Sequence, residues 1–256
     1  MKNNFNYNKV IKKLSIKKSD KIIINSNFLN IMIMAKKKNL NFSYDKFIDG
    51  ICSILGKKGT LLIPSYSWEF INKKKFFYET SKSISGSLAN KLLNRQDFKR
   101  TMNPIYSFLV KGHDQKKLCS MKHDDSFSMN SPFGYLISNN GKNIFIDIDY
   151  KDSFTFVHLA EQHAGVKYRY KKKFKGIFYK NKTKKNLAVT VYARKLSTRV
   201  KGTKIDKRFD NILLKNKALK KIKVQGINCQ IIDVKIAYRL MLKSIRLKDK
   251  IIYPIY

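Results

Sequence analysis

The order of apolar segments along the chain is the feature that most restricts its fold. Short apolar runs that are typical of buried strands occur at "KIIINS" (21–26), "GTLLIPSYS" (59–67), "PIYSFLVKG" (104–112) and "KNIFIDID" (142–149). Segments with apolar residues at helical spacing lie between them, such as "FLNIMIMAKKK" behind the first strand and "SYDKFIDGICSIL" (43–55), which Gly56 would cap. Alternating strands and helices predict a layered α/β domain.

The last third of the chain has a different pattern. "VKYRYKKKFKGIFYK" and "NLAVTVYARK" alternate apolar and basic residues, which predicts an antiparallel pair joined by the polar "NKTKKN". "KIKVQGINCQIIDV" adds a strand pair, and "VKIAYRLMLKSIR" predicts a closing helix. The chain has no internal repeat and no Gly/Ser-rich or Pro-rich linker, so we expect residues 1–256 to form one domain, with a polar, helical leader over 1–19.

The composition restricts where the protein works. A chain of 256 residues with 43% apolar residues can build a substantial core. Lys interrupts every apolar run, so none approaches the roughly 18 residues that a membrane-spanning helix needs. The start, "MKNNFNYNKVIKKLSIKKSD", lacks the apolar centre and cleavage site of a secretory signal. We therefore expect a cytoplasmic protein.

The net charge of +38 would by itself point to nucleic acid or an acidic membrane surface. Here the Lys residues are spread along the whole chain beside abundant Asn and Ile, which is the residue set that AT-rich codons encode. That distribution favours a solvated basic surface and disfavours nucleic acid as a partner. Anionic ligands, such as the phosphates of a nucleotide-like cofactor, would still be attracted to any suitable pocket.

His158 and Glu161 are the candidates for proton transfer. Asp152, Ser153 and Thr155 could cap a helix over "FTFVHLAEQHA", which follows a predicted core strand at the edge where open α/β sheets bind ligands. Residues at i and i+3 share a helix face, and a carboxylate on one imidazole nitrogen leaves the other nitrogen to take a proton. A surface pair that arose by chance has the same spacing, so spacing alone leaves both readings open.

The other His and Cys residues offer weaker sites. We expect His163 to cap the end of its helix and His123 to be an exposed loop residue, and we assign His113 no role. The cysteines are far apart and odd in number, which predicts buried reduced thiols. Only Cys119, just ahead of His123, could be an activated thiolate. The cysteines are Cys52, Cys119 and Cys229.

Four strings, in order, resemble the aminoglycoside 3-N-acetyltransferase family: "GTLLIPSYSWEF", "FKRTMNPIYSFLVKG", "SFSMNSPFGYL" and "SFTFVHLAEQ". The resemblance covers roughly residues 20 to 256. "YRYKKKFKG", "VYARKL" and "KDKIIYPIY" are similar to the branch associated with bacterial surface-polysaccharide and amino-sugar pathways. The resemblance implies a three-layer α/β/α enzyme with a central mixed sheet and a C-terminal antiparallel strand region. It would move acetyl from acetyl-coenzyme A to a primary amine, without a metal.

The family's T-x-x-H-x-A-E motif falls on Thr155, His158, Ala160 and Glu161. The resemblance makes His158 the general base and Glu161 the residue that orients it. The family's contacts to coenzyme A fall on residues at the strand ends. These are Ser26, Asn27, Phe28, Pro64, Ser65, Arg100, Thr101, Ser107 and Phe108.

The resemblance also implies a small-molecule acceptor, an amino sugar that we expect to be nucleotide-linked. Thr155 and Asn103 would contact it, and Arg169 and Lys171 would hold its pyrophosphate. Asn103 stands where relatives commonly have His, which puts acceptor choice in question. Two alternatives stay open: an aminoglycoside-modifying enzyme, and a non-catalytic basic relative that binds nucleic acid. A homodimer is also left open.

Overall fold

A computed structural model describes residues 3–122 and 124–256. The strands are β1 (Asn3–Asn4), β2 (Lys21–Ser26), β3 (Leu40–Asn41), β4 (Thr60–Pro64), β5 (Lys75–Phe77), β6 (Lys99–Arg100), β7 (Phe108–Gly112), β8 (Lys142–Ile146), β9 (Arg169–Lys180), β10 (Thr183–Arg194), β11 (Gly202–Ile205), β12 (Leu219–Val224), β13 (Ile227–Asp233) and β14 (Ile252–Ile255). The helices are α1 (Tyr7–Lys13), α2 (Phe28–Lys37), α3 (Tyr44–Leu55), α4 (Glu69–Asn72), α5 (Ser87–Leu92), α6 (Gln115–Ser120), α7 (Pro132–Ser138), α8 (Tyr150–Ser153), α9 (Phe156–Ala164), α10 (Arg208–Lys215) and α11 (Val234–Leu247).

The largest sheet in the described part of the chain has seven strands in the order β12-β13-β8-β2-β4-β7-β6. Its centre is parallel, because β2 pairs in parallel with both β4 and β8. The flanking pairs are antiparallel, with β7 and β6 on one side and β13 and β12 on the other. The predicted central mixed sheet is confirmed.

Alternate residues of the central strands point to opposite faces of the sheet, as the period of a strand requires. In β2, Ile23 belongs to one apolar cluster, whereas Ile22 and Ile24 belong to the other. The first cluster takes buried residues from α7, α9, α10 and α11, and the second from α1, α2, α3 and α5. Helices therefore cover both faces, which confirms the three-layer α/β/α arrangement.

The predicted leader over residues 1–19 contains a helix, α1, as expected. Although its composition is polar, it buries apolar side chains. Val10, Ile11 and Leu14 are buried in the second cluster. Their spacing places them on one side of α1, and α1 contacts α3. α1 is therefore packed against the rest of the structure.

The C-terminal region is antiparallel, as predicted. β9 and β10 form a hairpin, β12 and β13 form a second one, and β14 pairs with β11. The link between β9 and β10 is shorter than the predicted "NKTKKN". It is the two-residue turn of Asn181 and Lys182, whose φ values of 48° and 62° match the tight hairpin turns that suit the twist of strands. The rest of that polar segment continues β10.

Candidate active site

The segment after β8 differs from the prediction at both ends of its helix. A separate short helix, α8, comes first, and Asp149 caps it by accepting a hydrogen bond from the Lys151 N–H. Thr155 occupies the N-cap position of α9, but its side chain makes no capping hydrogen bond, so the predicted capping by Asp152, Ser153 and Thr155 is wrong.

The end of α9 is also set by a different residue. α9 ends at Gly165, whose φ of 67° lies in the left-handed region that favours glycine. His163, the predicted cap, instead pairs through Nδ1 with the hydroxyl of Tyr238 at 2.6 Å.

His158 and Glu161 form a hydrogen-bonded pair on α9. Nδ1–H of His158 donates to Oε2 of Glu161 at 2.8 Å. The Glu161 side chain is 0% exposed, whereas the His158 side chain is 24% exposed. The ring of Phe127 meets the imidazole edge to face at 5.5 Å. Among the described residues no group bonds to Nε2 of His158, so this second nitrogen is available to take a proton.

Glu161 is held on both of its carboxylate oxygens. The hydroxyl of Tyr168 donates to Oε1 at 2.6 Å, and the hydroxyl of Thr203 donates to the same oxygen. Nε of Arg169 lies 2.8 Å from Oε2. Burial by itself would raise the pKa of Glu161, but the hydrogen bond and charge of His158 and the charge of Arg169 outweigh it and leave the pKa below its usual value. Glu161 is therefore a carboxylate at neutral pH.

Arg169 lies in a different environment from the one its predicted role requires. Its side chain is only 8% exposed. Besides Glu161, it contacts the backbone carbonyl of Tyr192 at 3.3 Å and the hydroxyl of Thr203 at 3.0 Å. The guanidinium is therefore directed at Glu161 inside the protein rather than presented to a phosphate. Lys171 is 60% exposed, and its ammonium lies 3.0 Å from a carboxylate oxygen of Asp125.

The structure brings Ser65, Arg100 and Ser107 together inside the protein. Arg100 is 2% exposed and donates to Oγ of Ser107 at 2.9 Å and to the carbonyl of Ser65 at 2.8 Å. It also donates to the carbonyl of Ser81 at 2.7 Å, and its guanidinium lies 4.6 Å from the ring centroid of Phe76. Burial lowers the pKa of Arg100 to about 10. A prediction that this side chain contacts coenzyme A directly does not fit its burial.

The remaining predicted cofactor residues divide into interior and edge positions. Phe28 packs with the rings of Phe42 and Phe47, and the Phe108 N–H donates to Oγ1 of the buried Thr101 at 2.9 Å. Pro64 is also buried, at the end of β4. The side chains of these residues face the interior, so they could contact a cofactor only through their backbone.

Ser26 and Asn27 lie at the carboxyl end of β2 and are partly exposed. Asn27 precedes α2 without making a side-chain cap, and its N–H donates to the carbonyl of Ile146 at 2.9 Å. Nearby, Oγ of Ser65 is buried and has no hydrogen-bond partner among the described residues. This strand edge therefore offers uncommitted polar groups.

Asn103 shapes a turn. Its Oδ1 accepts hydrogen bonds from the N–H groups of Ile105 and Tyr106, both at 2.9 Å, and its Nδ2 donates to Oγ of Ser126 at 3.0 Å. This turn explains why β7 begins only at Phe108, although the apolar pattern predicts a strand from residue 104. Asn103 is buried, so its contact with an acceptor stays a prediction.

The cysteines are free thiols, of which only Cys229 is fully buried. Burial raises the pKa of Cys52 and Cys119 to about 11 and that of Cys229 to about 12. A thiol with such a pKa stays protonated near neutral pH, which argues against a thiolate nucleophile. His123, the proposed partner of Cys119, lies outside the described residues.

Two residues beside Glu161 were not predicted. Tyr168 begins the "YRYKKKF" run, seven residues after Glu161. Helical periodicity does not predict this contact, because α9 ends between the two residues. Thr203 comes from β11, 42 residues further along the chain. No local pattern could have revealed Thr203, because its position depends on how β11 is placed by β14.

The profile of the family described as aminoglycoside 3-N-acetyltransferase matches residues 33–246. The chain therefore belongs to this family, as its motifs predict. It is an acetyl-coenzyme A-dependent N-acetyltransferase, with acetyl-coenzyme A as the acyl donor. No curated protein matches the chain in sequence.

Solved structures of related enzymes share the fold. Aminoglycoside acetyltransferase AAC(3)-Xa has a TM-score of 0.75 and 16% identity, covering 95% of this chain and 93% of its own. AAC-IIIb in a binary complex with CoASH has a TM-score of 0.75 and 15% identity, covering 96% and 97%. AAC-VIa bound to sisomicin has a TM-score of 0.74 and 12% identity, covering 96% and 98%. The α/β/α layers are thus common to all of them.

Two other features are absent from residues 3–122 and 124–256. No helix there is long and apolar enough to cross a membrane. No group of three or more His, Cys, Asp or Glu side chains there could hold a metal ion.

Proposed function

We propose that this enzyme acetylates the primary amine of a nucleotide-linked amino sugar used in surface-polysaccharide synthesis, with His158 as general base and Glu161 as the residue that orients it. The observation that carries the mechanism is the 2.8 Å contact between Nδ1 of His158 and Oε2 of Glu161, in which the carboxylate is buried and the imidazole is partly exposed. Both substrates of this reaction are cytoplasmic metabolites, so we propose the cytoplasm as its location.

The chemistry follows from this pair. A protonated amine is no nucleophile, so the amine first loses one proton to solvent. As the neutral amine attacks, His158 takes a second proton from its nitrogen through Nε2, and Glu161 stabilises the imidazolium that forms. Acetyl-coenzyme A supplies the thioester carbon, where a C–N bond forms and the C–S bond breaks. The proton held by His158 then goes to the departing thiolate. No protein nucleophile is needed, in agreement with the raised pKa values of the cysteine thiols.

We propose that the acyl donor binds at the carboxyl edge of β2 and β4. Uncapped N–H groups at the start of α2, behind Asn27, suit amide or phosphate oxygens. Ser65 directly follows β4, and its buried hydroxyl has no hydrogen-bond partner among the described residues. We propose that Arg100 and Ser107 act from behind, by fixing the Ser65 backbone.

The acceptor is supported by charge beside the catalytic pair. β9 begins at Arg169, which contacts Glu161, and Lys171, Lys172 and Lys173 follow as exposed residues. Lys171 would hold the pyrophosphate of the acceptor, while Arg169 has the positioning role that its contacts define. Thr155, whose side chain makes no helix cap, lies one turn before His158 and would contact the sugar.

Thiol release from acetyl-coenzyme A tests this function with simple amino sugars, nucleotide-linked amino sugars and aminoglycosides. Wild-type turnover should be fastest with a nucleotide-linked sugar. His158→Ala should lower kcat by about 10² to 10⁴-fold without changing the KM for acetyl-coenzyme A. Turnover that survives this substitution would refute the base assignment. Preference for an aminoglycoside, the ligand class seen on AAC-VIa, would contradict the proposed acceptor.

A matched pair of charge reversals tests the pyrophosphate site. Lys171→Glu alters the end of the hairpin beside Glu161, whereas Lys184→Glu alters an exposed lysine near its turn, opposite Tyr179. Only Lys171→Glu should raise the KM for the acceptor. Equal effects of the two variants would show that net charge alone attracts the acceptor, and unchanged kinetics in Lys171→Glu would exclude this contact.

A further inference from the structure

The oxygen of Glu161 that faces away from His158 has its own two donors. Oε2 faces His158 and Arg169, whereas Oε1 accepts hydrogen bonds from the hydroxyls of Tyr168 and Thr203. The four groups around this buried carboxylate therefore come from different segments. His158 lies in α9, Tyr168 directly precedes β9, Arg169 begins β9, and Thr203 lies in β11. Tyr168 and Thr203 thus orient the carboxylate that orients the proposed general base, His158.

The direction of the Thr203 hydrogen bond follows from its partners. Nη2 of Arg169 can only donate, and it donates to Oγ1 of Thr203 at 3.0 Å. The single proton of the Thr203 hydroxyl is therefore free to point at Oε1 of Glu161. Arg169 thus contacts Glu161 twice, directly by charge and indirectly through Thr203.

Hydrogen-bond donors on both oxygens of Glu161 affect the orientation of His158. A glutamate side chain has several rotatable bonds, and fixing it in one orientation costs conformational entropy. A misplaced carboxylate would let the imidazole of His158 rotate away from the amine. Donors on both oxygens restrict the carboxylate to one orientation, and a buried carboxylate also needs them to offset the loss of water.

Thr203 depends on the last strand of the chain. It lies in β11 opposite Pro254 of β14. β11 and β14 together form a two-stranded ribbon, the β11–β14 ribbon. Further hydrogen bonds close it at both ends, because the Lys201 N–H donates to the carbonyl of Ile255 at 2.6 Å and the Asp206 N–H donates to that of Ile251 at 2.8 Å. The final residues of the chain therefore determine where the Thr203 hydroxyl stands.

We propose that Thr203 and Tyr168 are positioning residues for proton transfer, and that the β11–β14 ribbon is a functional part of the active site. This inference rests on the proposed roles of His158 and Glu161. Thr203 and Tyr168 hold Oε1, so that Oε2 stays aligned with Nδ1 of His158. Neither residue needs to touch a substrate.

The charged and titratable groups around Glu161 determine how activity depends on pH. They are His158, Arg169, Tyr168 and Tyr192. Burial, together with the charge of Glu161, raises the pKa of both tyrosines, so they remain protonated donors or neutral neighbours throughout the working range.

The test compares Thr203→Val, which keeps the shape and removes the hydroxyl, with Thr203→Ser, which restores it. Thr203→Val should lower kcat by about tenfold or more and leave both KM values unchanged. The acid limb of its kcat/KM profile should move to higher pH, because a carboxylate with fewer donors holds the His158 proton more tightly. Tyr168→Phe should act in the same direction, and Thr203→Ser should recover most of the rate.

Thr198→Val is the matched control, since that hydroxyl donates only to the carbonyl of Lys195 at 2.7 Å. It should leave both the rate and the pH profile unchanged. A Thr203→Val enzyme with wild-type kcat and pH profile, or one that loses only thermal stability, would overturn the inference. His158→Ala separates the two levels: if it is inactive while Thr203→Val is fully active, only the positioning role fails, and if it is active, the proposed mechanism itself fails.

Discussion

The guanidinium of Arg100 donates a 2.8 Å hydrogen bond to the backbone carbonyl of Ser65, across a sequence distance of 35 residues. Within the described ranges no carboxylate lies within 4 Å of this buried cation, which is satisfied by carbonyl and hydroxyl oxygens and by the face of Phe76. The contact joins the end of β4 to β6. Arg100 therefore holds this edge of the sheet together.

We predict that Arg100→Leu lowers the free energy of unfolding by about 2 to 4 kcal/mol, because it leaves several buried acceptors without donors. Arg100→Lys should recover little, since an ammonium cannot reach the oxygens of Ser65, Ser81 and Ser107 together. Urea denaturation measures both, with Arg246→Leu at an exposed position of α11 as the control. An Arg100→Leu protein of normal stability and raised KM for acetyl-coenzyme A would instead indicate a direct ligand contact.

Glu161→Gln should make stability depend less on pH. The pKa of Glu161 is lower in the folded protein than its ordinary value of 4.5, so the folded state favours the ionised form. Its contribution to stability is present above the unfolded pKa and is lost as pH falls through the folded one. The variant should be less stable by about 3 to 5 kcal/mol at pH 7, since Arg169 loses its partner. The difference should shrink below about pH 4.5.

Urea midpoints between pH 3 and pH 7 measure this difference. Glu79→Gln, at an exposed glutamate, should change stability by less than about 1 kcal/mol at every pH. A Glu161→Gln deficit that is the same at pH 3 and pH 7 would contradict the ionised, paired state of Glu161.

Gly134 is required by a close backbone approach. A Cβ at this position of α7 would lie 2.1 Å from the carbonyl oxygen of Met129. Gly134→Ala should therefore lower the thermal midpoint by several degrees or abolish folding. Gly50→Ala is the matched control in α3, because the added methyl would meet only the flexible end of the Ile11 side chain. Equal stability of the two variants would argue against the close packing of α7.

Unfolding should occur in a single transition if the chain is one domain. The two apolar clusters are the two faces of one sheet, so neither face can lose its helices without exposing the strands shared with the other. Fluorescence of Trp68, the sole tryptophan, and far-ultraviolet circular dichroism should give the same midpoint in urea. Separate midpoints for the two signals would show that the chain has more than one cooperative unit.

Much of this structure was predictable because its signals are local. The apolar runs around Ile23 and Leu62 identify strands that are covered on both faces, and the spacing of His158 and Glu161 places both side chains on one face of a helix. The failures are local as well. Short-range interactions changed the end of α9 and the start of β7, where Gly165 and the amide of Asn103 compete successfully with the simple periodic pattern.

The sequence by itself determined the layered fold, the family motifs and the pair of His158 and Glu161, since strand period, helix period and motif spacing all act over a few residues. Only the tertiary structure decided that Arg169 pairs with Glu161 instead of facing solvent, and that Thr203 completes the carboxylate's donors. Both facts depend on where β9 and the β11–β14 ribbon lie against α9. The physical reason is that a buried charge takes its partners from whichever segments packing brings to it, and sequence distance does not limit that choice.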